Sequence, residues 1–97
     1  MHIEVHFYDA TRKAFHLNIM RQTIFFSFET IIGVHAENNR MRLHNSWGIT
    51  TGKHINKMGI REFEEVSEET LMDVISRQMA KDGIEMLNKY IKQGIKP

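Results

Sequence analysis

Residues 45–59, NSWGITTGKHINKMG, lie where the chain changes from strand-like to helix-like patterns. The stretch contains the only Trp and several hydrogen-bonding side chains. Apolar residues alternate before it, and they recur with helical spacing after it. We therefore expect the chain to leave a sheet and enter helices within this stretch.

Period-2 alternation predicts strands before residue 45. The predicted strands cover residues 2–8, 15–20, 23–29, 30–36 and 40–44, the fourth being either separate or a bent continuation of the third. Gly33 is a candidate β-bulge. The turn at Glu37-Asn38-Asn39-Arg40 predicts a hairpin, because Asn tolerates positive φ. Short connections make neighbouring strands antiparallel, so the sequence predicts a β-meander of four to five strands with an apolar face.

Helical signals follow the Trp-containing stretch. Thr50 or Thr51 as N-cap and Gly59 after the C-terminus predict a helix of roughly two turns. Residues 60–66 match neither a strand nor a helix pattern, and we expect an extended connector there.

A longer helix is predicted after Ser67, its N-cap. Its expected buried stripe is Leu71, Val74, Ile75 and Met79. At Gly83 this helix either breaks or kinks, or it runs through. The predicted fold class is α+β: the antiparallel β-meander packs against one short helix and a long C-terminal helix, in a single domain over residues 1–97.

Composition restricts the functional classes. The 97 residues are 41% hydrophobic, which suits one core. Thirteen Lys and Arg against twelve Asp and Glu give a net charge of +1, which predicts neither nucleic acid nor membrane as a partner. The absence of Cys excludes a disulfide framework, a thiolate zinc site and a thiol nucleophile. Without a signal-peptide pattern or an apolar run of about 18 residues, we expect a cytoplasmic protein.

One candidate interaction surface, the basic end, combines the Trp with cationic side chains. Such a surface can stack bases and follow a phosphate backbone. Alternatively, the Trp closes the end of the core and the cations are simply solvated. The residues proposed for this surface are Arg40, Arg42, Trp47, Lys53, His54 and Lys57.

A second candidate, the acidic face, is a run of carboxylates without an intervening base. It can imitate a nucleic-acid strand and occupy a basic groove of another protein, or it is the solvated start of a helix. Its residues are Glu62, Glu64, Glu65, Glu68, Glu69 and Asp73.

Catalytic and metal-binding patterns are weak. The run from Gly48 to His54 lacks one residue of a phosphate-binding loop and has His at the metal-binding hydroxyl position. Thr51 and His54 could pair as nucleophile and base, but no acid lies near them in sequence. His6, His16 and Glu4 would share one sheet face as metal ligands if a hairpin centres on Thr11, although exposed sheet faces often carry His. We expect no catalytic residue, no metal and no cofactor.

Two stretches resemble a known family. Residues 26–33, FSFETIIG, and residues 45–56, NSWGITTGKHIN, are similar to DUF8033-like proteins, small uncharacterised proteins of phages and mobile elements. Those proteins pair an aromatic-Ser-aromatic-x-Thr strand with a Thr-Thr-x-Lys-His-x-Asn helix start. The resemblance implies a phage or mobile-element origin and brings no established activity. Small accessory proteins of such origin often block host defence machinery, anti-CRISPR proteins included, which is an argument from association.

Within this resemblance, four polar residues are expected to fix the helix to the strand ends: Asn45, Thr50, Thr51 and Asn56. Polar groups buried at a junction are costly when they are left unpaired. Lys53 and His54 either share this structural role or project toward a ligand.

The sequence therefore favours a non-enzymatic binding protein that inhibits a host macromolecule by contact. The target would be a host protein or a protein–nucleic acid complex, reached through the acidic face or the basic end. The rival hypothesis is a nucleic-acid-binding accessory or regulatory protein that uses the basic end around Trp47 and Lys53. No pattern predicts an oligomeric state.

Overall fold

A computed structural model describes residues 3–92 and has an α+β fold, as predicted. Five strands come first, then a short helix, a sixth strand and a long helix. They are β1 (Ile3–Phe7), β2 (Ala14–Ile19), β3 (Gln22–Ser27), β4 (Thr30–Ala36), β5 (Asn39–Leu43), α1 (Ile49–Met58), β6 (Glu64–Val66) and α2 (Glu68–Lys92).

The strands form one sheet in the order β1-β2-β3-β4-β5-β6. The first five strands make the predicted antiparallel meander, and β6 pairs in parallel with β5. The prediction of four to five strands was therefore too low, because residues 60–66 contain β6 as well as a connector. A three-residue strand is too short to show a period-2 pattern, and its pairing partner lies far away in sequence.

A β-bulge lies in β4, as the sequence predicted. Phe25 pairs with Gly33 and Phe26 pairs with Ile31, so Ile32 is the extra residue. A Cβ on Gly33 would lie 3.2 Å from Cδ1 of Ile60 and from the Met41 carbonyl oxygen. Gly33 thus lets the bulged strand approach its neighbours closely.

The helices cover opposite faces of the sheet. Consecutive strand residues point to opposite faces, so Ile24 and Phe25 belong to different cores. On the α2 face, the buried residues are Ile24, Val34, Ala36, Leu43, Leu71 and Ile75. On the α1 face, they are Phe25, Ile32, Ile55, Met58 and Ile60. The sequence predicted a single apolar face; the central strands are apolar on both.

Helix α1 begins after Gly48, which adopts φ 118° and provides no side-chain cap. The predicted cap at Thr50 or Thr51 was wrong, because Asn45 turns the chain earlier. Its Oδ1 accepts hydrogen bonds from the backbone N–H groups of Trp47 (3.1 Å) and Gly48 (3.2 Å). The C-terminus follows the prediction: Gly59 is left-handed at φ 70°, and the Ile60 N–H donates to the Ile55 carbonyl at 3.2 Å.

Helix α2 begins at the predicted cap, since Ser67 Oγ accepts the Thr70 N–H at 3.1 Å. It runs without a break through Gly83, so the alternative of a helix that stops there was wrong. Leu71 and Ile75 are buried and Val74 is partly buried, but Met79 is 44% exposed and does not belong to the buried stripe. No helix within residues 3–92 is long and apolar enough to cross a membrane.

Replacing Gly83 with Ala should raise the free energy of unfolding by about 0.5–1 kcal/mol, because a helix-interior Gly loses more backbone entropy on folding. A Cβ at Gly83 meets nothing within 4 Å. Urea denaturation measures the difference. The matched control is Gly59→Ala, which should lower stability because Gly59 has a positive φ. A destabilising Gly83→Ala would contradict a continuous α2.

Candidate functional site

Three connections meet at one end of the sheet: residues 8–13, 28–29 and 44–48. Because the meander alternates in direction, the turns after β1 and β3 and the end of β5 lie side by side. Phe28, Trp47 and Ile49 are exposed there, Trp47 by 49%. Trp47 does not close the core, and large apolar side chains are instead presented to solvent.

A cavity of about 560 Å³ opens between the β3–β4 turn and the start of α1. Apolar side chains make most of its wall. The rest is made by Ser and Thr residues and by the backbone of Gly48. Its lining residues are Ser27, Phe28, Thr30, Ile32, Trp47, Gly48, Ile49, Thr50 and Thr51. A cavity of this size can accept a side chain or a small planar group.

A second groove of about 580 Å³ adjoins the first at Phe28 and Thr30. It is flanked by cations that lie over aromatic rings: Lys13 Nζ is 5.5 Å from the centroid of Phe28, and Arg12 Cζ is 5.4 Å from that of Phe7. Such contacts are attractive when the cation lies within about 6 Å of the ring. We call the surface formed by Arg12, Lys13, Phe28, Trp47 and Ile49 the aromatic end.

Beneath the aromatic end, a buried hydrogen-bond network joins β3 to α1. Ser27 Oγ lies 2.7 Å from His54 Nδ1 and 3.1 Å from Thr51 Oγ1. All three residues are buried, and His54 is only 5% exposed. Each polar group therefore has a partner where water is excluded, which avoids the cost of an unpaired buried group.

The network contains a hydroxyl and an imidazole, but among residues 3–92 no carboxylate is hydrogen-bonded to it as the third member of a catalytic triad would be. Asp9 acts on His54 through its charge. Its carboxylate accepts hydrogen bonds from Thr11 at 2.6 Å and Lys57 at 3.4 Å. A triad acid instead holds the second imidazole nitrogen. The bonds of Ser27, Thr51 and His54 serve to fasten the helix to the sheet.

The pH dependence of stability should reveal the buried imidazole. Burial lowers the pKa of His54; the charge of Asp9 opposes this shift, and Lys57 and Lys13 add to it. Burial and the charge of His6 likewise lower the pKa of His16. Because both pKa values are lower in the folded chain, the two His take up protons at a higher pH in the unfolded chain than in the folded one. Their contribution to the free energy of unfolding is therefore complete above about pH 6.5 and falls as the pH drops toward the pKa values of the folded chain.

His54→Asn should reduce the loss of stability between about pH 7.5 and pH 5, because Asn can keep the bond to Ser27 without titrating. His16→Asn should remove the other part of the loss. Urea denaturation at both pH values measures these differences. Equal losses in the wild type and in the double variant would contradict the assignment.

The residues proposed for the basic end do not form one surface. Arg40 lies at the start of β5, opposite His35, at the far end of the sheet from Trp47. Arg42 is largely covered and donates to the carbonyls of Arg61 (3.1 Å) and Leu43 (3.0 Å). Its guanidinium also pairs with Glu65, so its role is structural. His54 is buried, which leaves it outside any contact surface.

Lys53 and Lys57 are both exposed, but Lys57 is paired with Asp9 at 3.4 Å. Lys53 lies beside a separate polar cleft of about 410 Å³. Its lining residues are Arg42, His44, Asn45, Ile49, Gly52, Lys53, Ile55, Asn56, Arg61 and Glu65. Of the proposed basic end, Trp47 and Lys53 remain exposed together near the start of α1.

The four proposed junction residues have different surroundings. Asn45 accepts the loop N–H groups described above, and its Nδ2 donates to the Gly48 carbonyl at 2.9 Å. Thr51 is buried against Ser27. Thr50 and Asn56 are exposed, the first beside the cavity and the second beside the polar cleft. Asn45 and Thr51 therefore hold the junction, and Thr50 and Asn56 do not.

The residues of the acidic face are all exposed, but they are not equally available. The contacts of Glu65 with His44 (3.2 Å) and Arg42 (3.0 Å) lower the pKa of its carboxyl. Asp73 pairs with Arg77 at 3.0 Å on the same helix. Among residues 3–92, four of the acids make no ion pair: Glu62, Glu64, Glu68 and Glu69.

The predicted pairing of His6 with His16, and of Glu4 with Asn18, is present in the sheet. The two imidazole rings are stacked, 5.0 Å apart. His16 Nδ1 is hydrogen-bonded to the Tyr8 hydroxyl at 2.6 Å. Within the described part of the chain, no group of three His or carboxylate side chains could hold a metal ion.

Sequence reasoning missed Arg12, Lys13, Phe28 and Ile49 as part of the candidate site. They belong to turns and a helix start that are far apart along the chain. One signal could have found them: short connections in a predicted meander place alternate turns at the same end of the sheet.

Comparison with known proteins gives a family but no activity. None of the curated proteins and none of the solved structures matches the chain. One family model, a family of unknown function, DUF8033, matches residues 3–73. This match covers the whole sheet, α1 and the start of α2. Since it spans well over half of the chain, the protein belongs to the DUF8033 family.

Proposed function

We propose that the protein is a small non-enzymatic accessory protein, of phage or mobile-element origin, that binds and inhibits a host macromolecule. A component of a host defence system, as for anti-CRISPR proteins, is the proposed kind of target, met in the host cytoplasm. The aromatic end is the proposed contact surface. The observation that carries the proposal is the half-exposed Trp47 beside an open, largely apolar cavity.

Interface energetics support this choice of surface. Trp and Arg are enriched among residues that dominate binding, and they act best beside pockets that exclude water once the partner is bound. A contiguous exposed apolar patch with a polar rim is typical of an interaction site. The acidic face is a weaker candidate, because two of its members, Glu65 and Asp73, are already paired.

Nucleic-acid binding through the same end is the second candidate. The cation–ring contacts of Lys13 and Arg12 favour it, since aromatic and cationic side chains together can hold a single strand. The separation of Arg40 from Trp47 and the covering of Arg42 argue against an extended basic track.

Trp47→Ala should weaken binding of the host target by roughly 30-fold or more, the effect of losing a contact of about 2 kcal/mol. The experiment is capture from host lysate with the wild type, Trp47→Ala and the control Met79→Ala, each with and without nuclease. Met79 is a large apolar residue on α2 with an exposure of 44%, close to that of Trp47. We expect the wild type and the control to retain the target and Trp47→Ala to lose it. Nuclease should not change this result.

Inhibition is then measured by adding purified protein to the isolated target and following that target's own activity. Loss of capture after nuclease, together with a lower affinity of Lys13→Glu for single-stranded DNA, would favour the second candidate. If Trp47→Ala captures the target as well as the wild type does, and a Glu68→Lys, Glu69→Lys variant does not, the contact surface is the acidic face and not the aromatic end.

A further inference from the structure

Among residues 3–92, no strand pairs with the outer side of β1, which is an open edge with apolar side chains. Within β1, Ile3, Val5 and Phe7 are 51%, 51% and 44% exposed. The strand contains no Pro or Lys, and Glu4 is its only acid. Proteins usually protect a sheet edge with such residues, or by making the strand short or charged. The opposite edge follows that rule, since β6 has three residues and two of them are Glu.

The backbone groups that face this open edge belong to the same three residues. The Tyr8 N–H donates to the Ala14 carbonyl at 2.9 Å, so the backbone of Tyr8 points toward β2. In an antiparallel pair, this direction alternates along the strand. The N–H and C=O groups of Phe7, Val5 and Ile3 therefore point away from β2, toward the open edge.

We propose that a second copy of this chain pairs antiparallel with β1 about a two-fold axis through Val5, which makes one continuous sheet of two protomers. In this register Val5 lies opposite the partner's Val5, and Ile3 lies opposite the partner's Phe7. Each of these pairs exchanges both of its backbone hydrogen bonds. The contact is isologous, since the same residues contribute from both sides.

The side chains match on both faces of the paired strands. On the α2 face, the apolar residues of the two β1 strands meet and continue a row of rings: Phe7 lies 5.7 Å from Phe15, and Phe15 is stacked 4.7 Å from Phe26. On the α1 face, Glu4 comes opposite the partner's His6, a carboxylate facing an imidazole. A slip by one residue would point the apolar side chains of one strand to the other face. This self-complementarity favours another copy of the chain as the occupant.

Sedimentation equilibrium and light scattering test the dimer. We expect a mass twice the 11.5 kDa of the chain. Val5→Lys should raise the dissociation constant by about 100-fold or more, because a charge on an edge strand opposes pairing. The matched control, Ile84→Lys, alters an exposed apolar residue of α2 and should remain dimeric. Circular dichroism establishes that each variant is folded.

Single cysteines test the register, since the chain has none of its own. Hydrogen-bonded antiparallel pairs have Cα atoms about 5.5 Å apart, close enough for a short bifunctional thiol reagent to join two Cys. Val5→Cys should therefore form a covalent dimer with such a reagent, whereas Ile3→Cys or Phe7→Cys alone should not. The double variant Ile3→Cys, Phe7→Cys should be linked again. Cys is a small apolar residue, so these variants also answer the question if Val5→Lys fails to fold.

A wild-type mass of one chain at about 1 mM, far above the dissociation constants of specific interfaces, would overturn the proposal. Dimers that persist in folded Val5→Lys would overturn it too. Cross-linking of Ile3→Cys as readily as Val5→Cys would rule out the two-fold axis through Val5.

Discussion

Replacing Leu71 with Ala should lower the free energy of unfolding by about 3 kcal/mol, among the largest losses expected for this chain. Leu71 is 0% exposed and packs with Ile75, Val34 and Leu43 in the core between α2 and the sheet. Truncation removes its contacts and leaves a cavity, because the surrounding strands are fixed by their pairing and cannot collapse into the space. Urea denaturation measures the loss.

Leu87→Ala is the matched control for this substitution. It makes the same change in the same helix at a residue that is 60% exposed, so only a small effect is expected. Similar losses for both substitutions would mean that the C-terminal half of α2 is covered as well as the first half. A small loss at Leu71 would contradict the packing of α2 on the sheet.

Asp82→Ala should lower the free energy of unfolding by about 2 kcal/mol, chiefly by leaving the buried amide of Gln78 without its partner. Asp82 is buried, and its Oδ1 accepts Gln78 Nε2 at 3.0 Å and Arg21 Nε at 2.9 Å. The bond with Arg21 attaches α2 to the β2–β3 turn just before Gly83, whereas the bond with Gln78 lies within α2. Urea denaturation at neutral pH measures the loss.

The control is Glu85→Ala, which removes the other carboxylate that pairs with Arg21, at 2.6 Å. Both members of that pair are about half exposed, and exposed ion pairs contribute little. Equal losses at Asp82 and Glu85 would show that the ion pairs with Arg21, and not the buried amide, determine the effect.

Acid should weaken the attachment of α2 at Asp82. Burial alone would raise the pKa of Asp82, but hydrogen bonds from Arg21 and Gln78 outweigh it and hold the pKa below its ordinary value. A depressed carboxyl pKa contributes stability above the unfolded value of about 3.9, and this stability is lost as the pH falls through the folded value. The difference in stability between the wild type and Asp82→Ala should therefore shrink in acid.

The meander could be predicted because its signals are local. The alternation of Ile3, Val5 and Phe7 defines a strand without reference to distant residues. The hairpin between β4 and β5 was predicted correctly, but the reason was wrong, because Glu37 and not an Asn adopts the positive φ of this turn (φ 52°). The Ser67 cap and the Gly59 terminus are local in the same sense. The placement of the two helices on opposite faces was not predictable from the alternation, because the central strands are apolar on both sides.

The remaining errors concern contacts between residues distant in sequence. Strand β6 is defined by its pairing with β5, in which Arg42 lies beside Glu65, and the passage of α2 through Gly83 is accompanied by the contact of Asp82 with Arg21. His54 follows a Lys in a polar stretch, and only its contact with Ser27 of β3 reveals that it is buried. The cations of the basic end were predicted to form one surface because they are close in sequence. Arg12 and Lys13, in contrast, approach Phe28 only in the folded sheet.

The parallel pairing of β6 with β5 has a consequence for the order of folding. The hairpins from β1 to β5 close over short connections and can form early, whereas β6 must wait for a crossover that includes α1. The cavity beside Trp47 takes one wall from the meander and the other from this crossover. We therefore expect the proposed contact surface beside Trp47 to be completed only late in folding, and a substitution that delays the crossover should postpone its formation while the meander assembles at its usual rate.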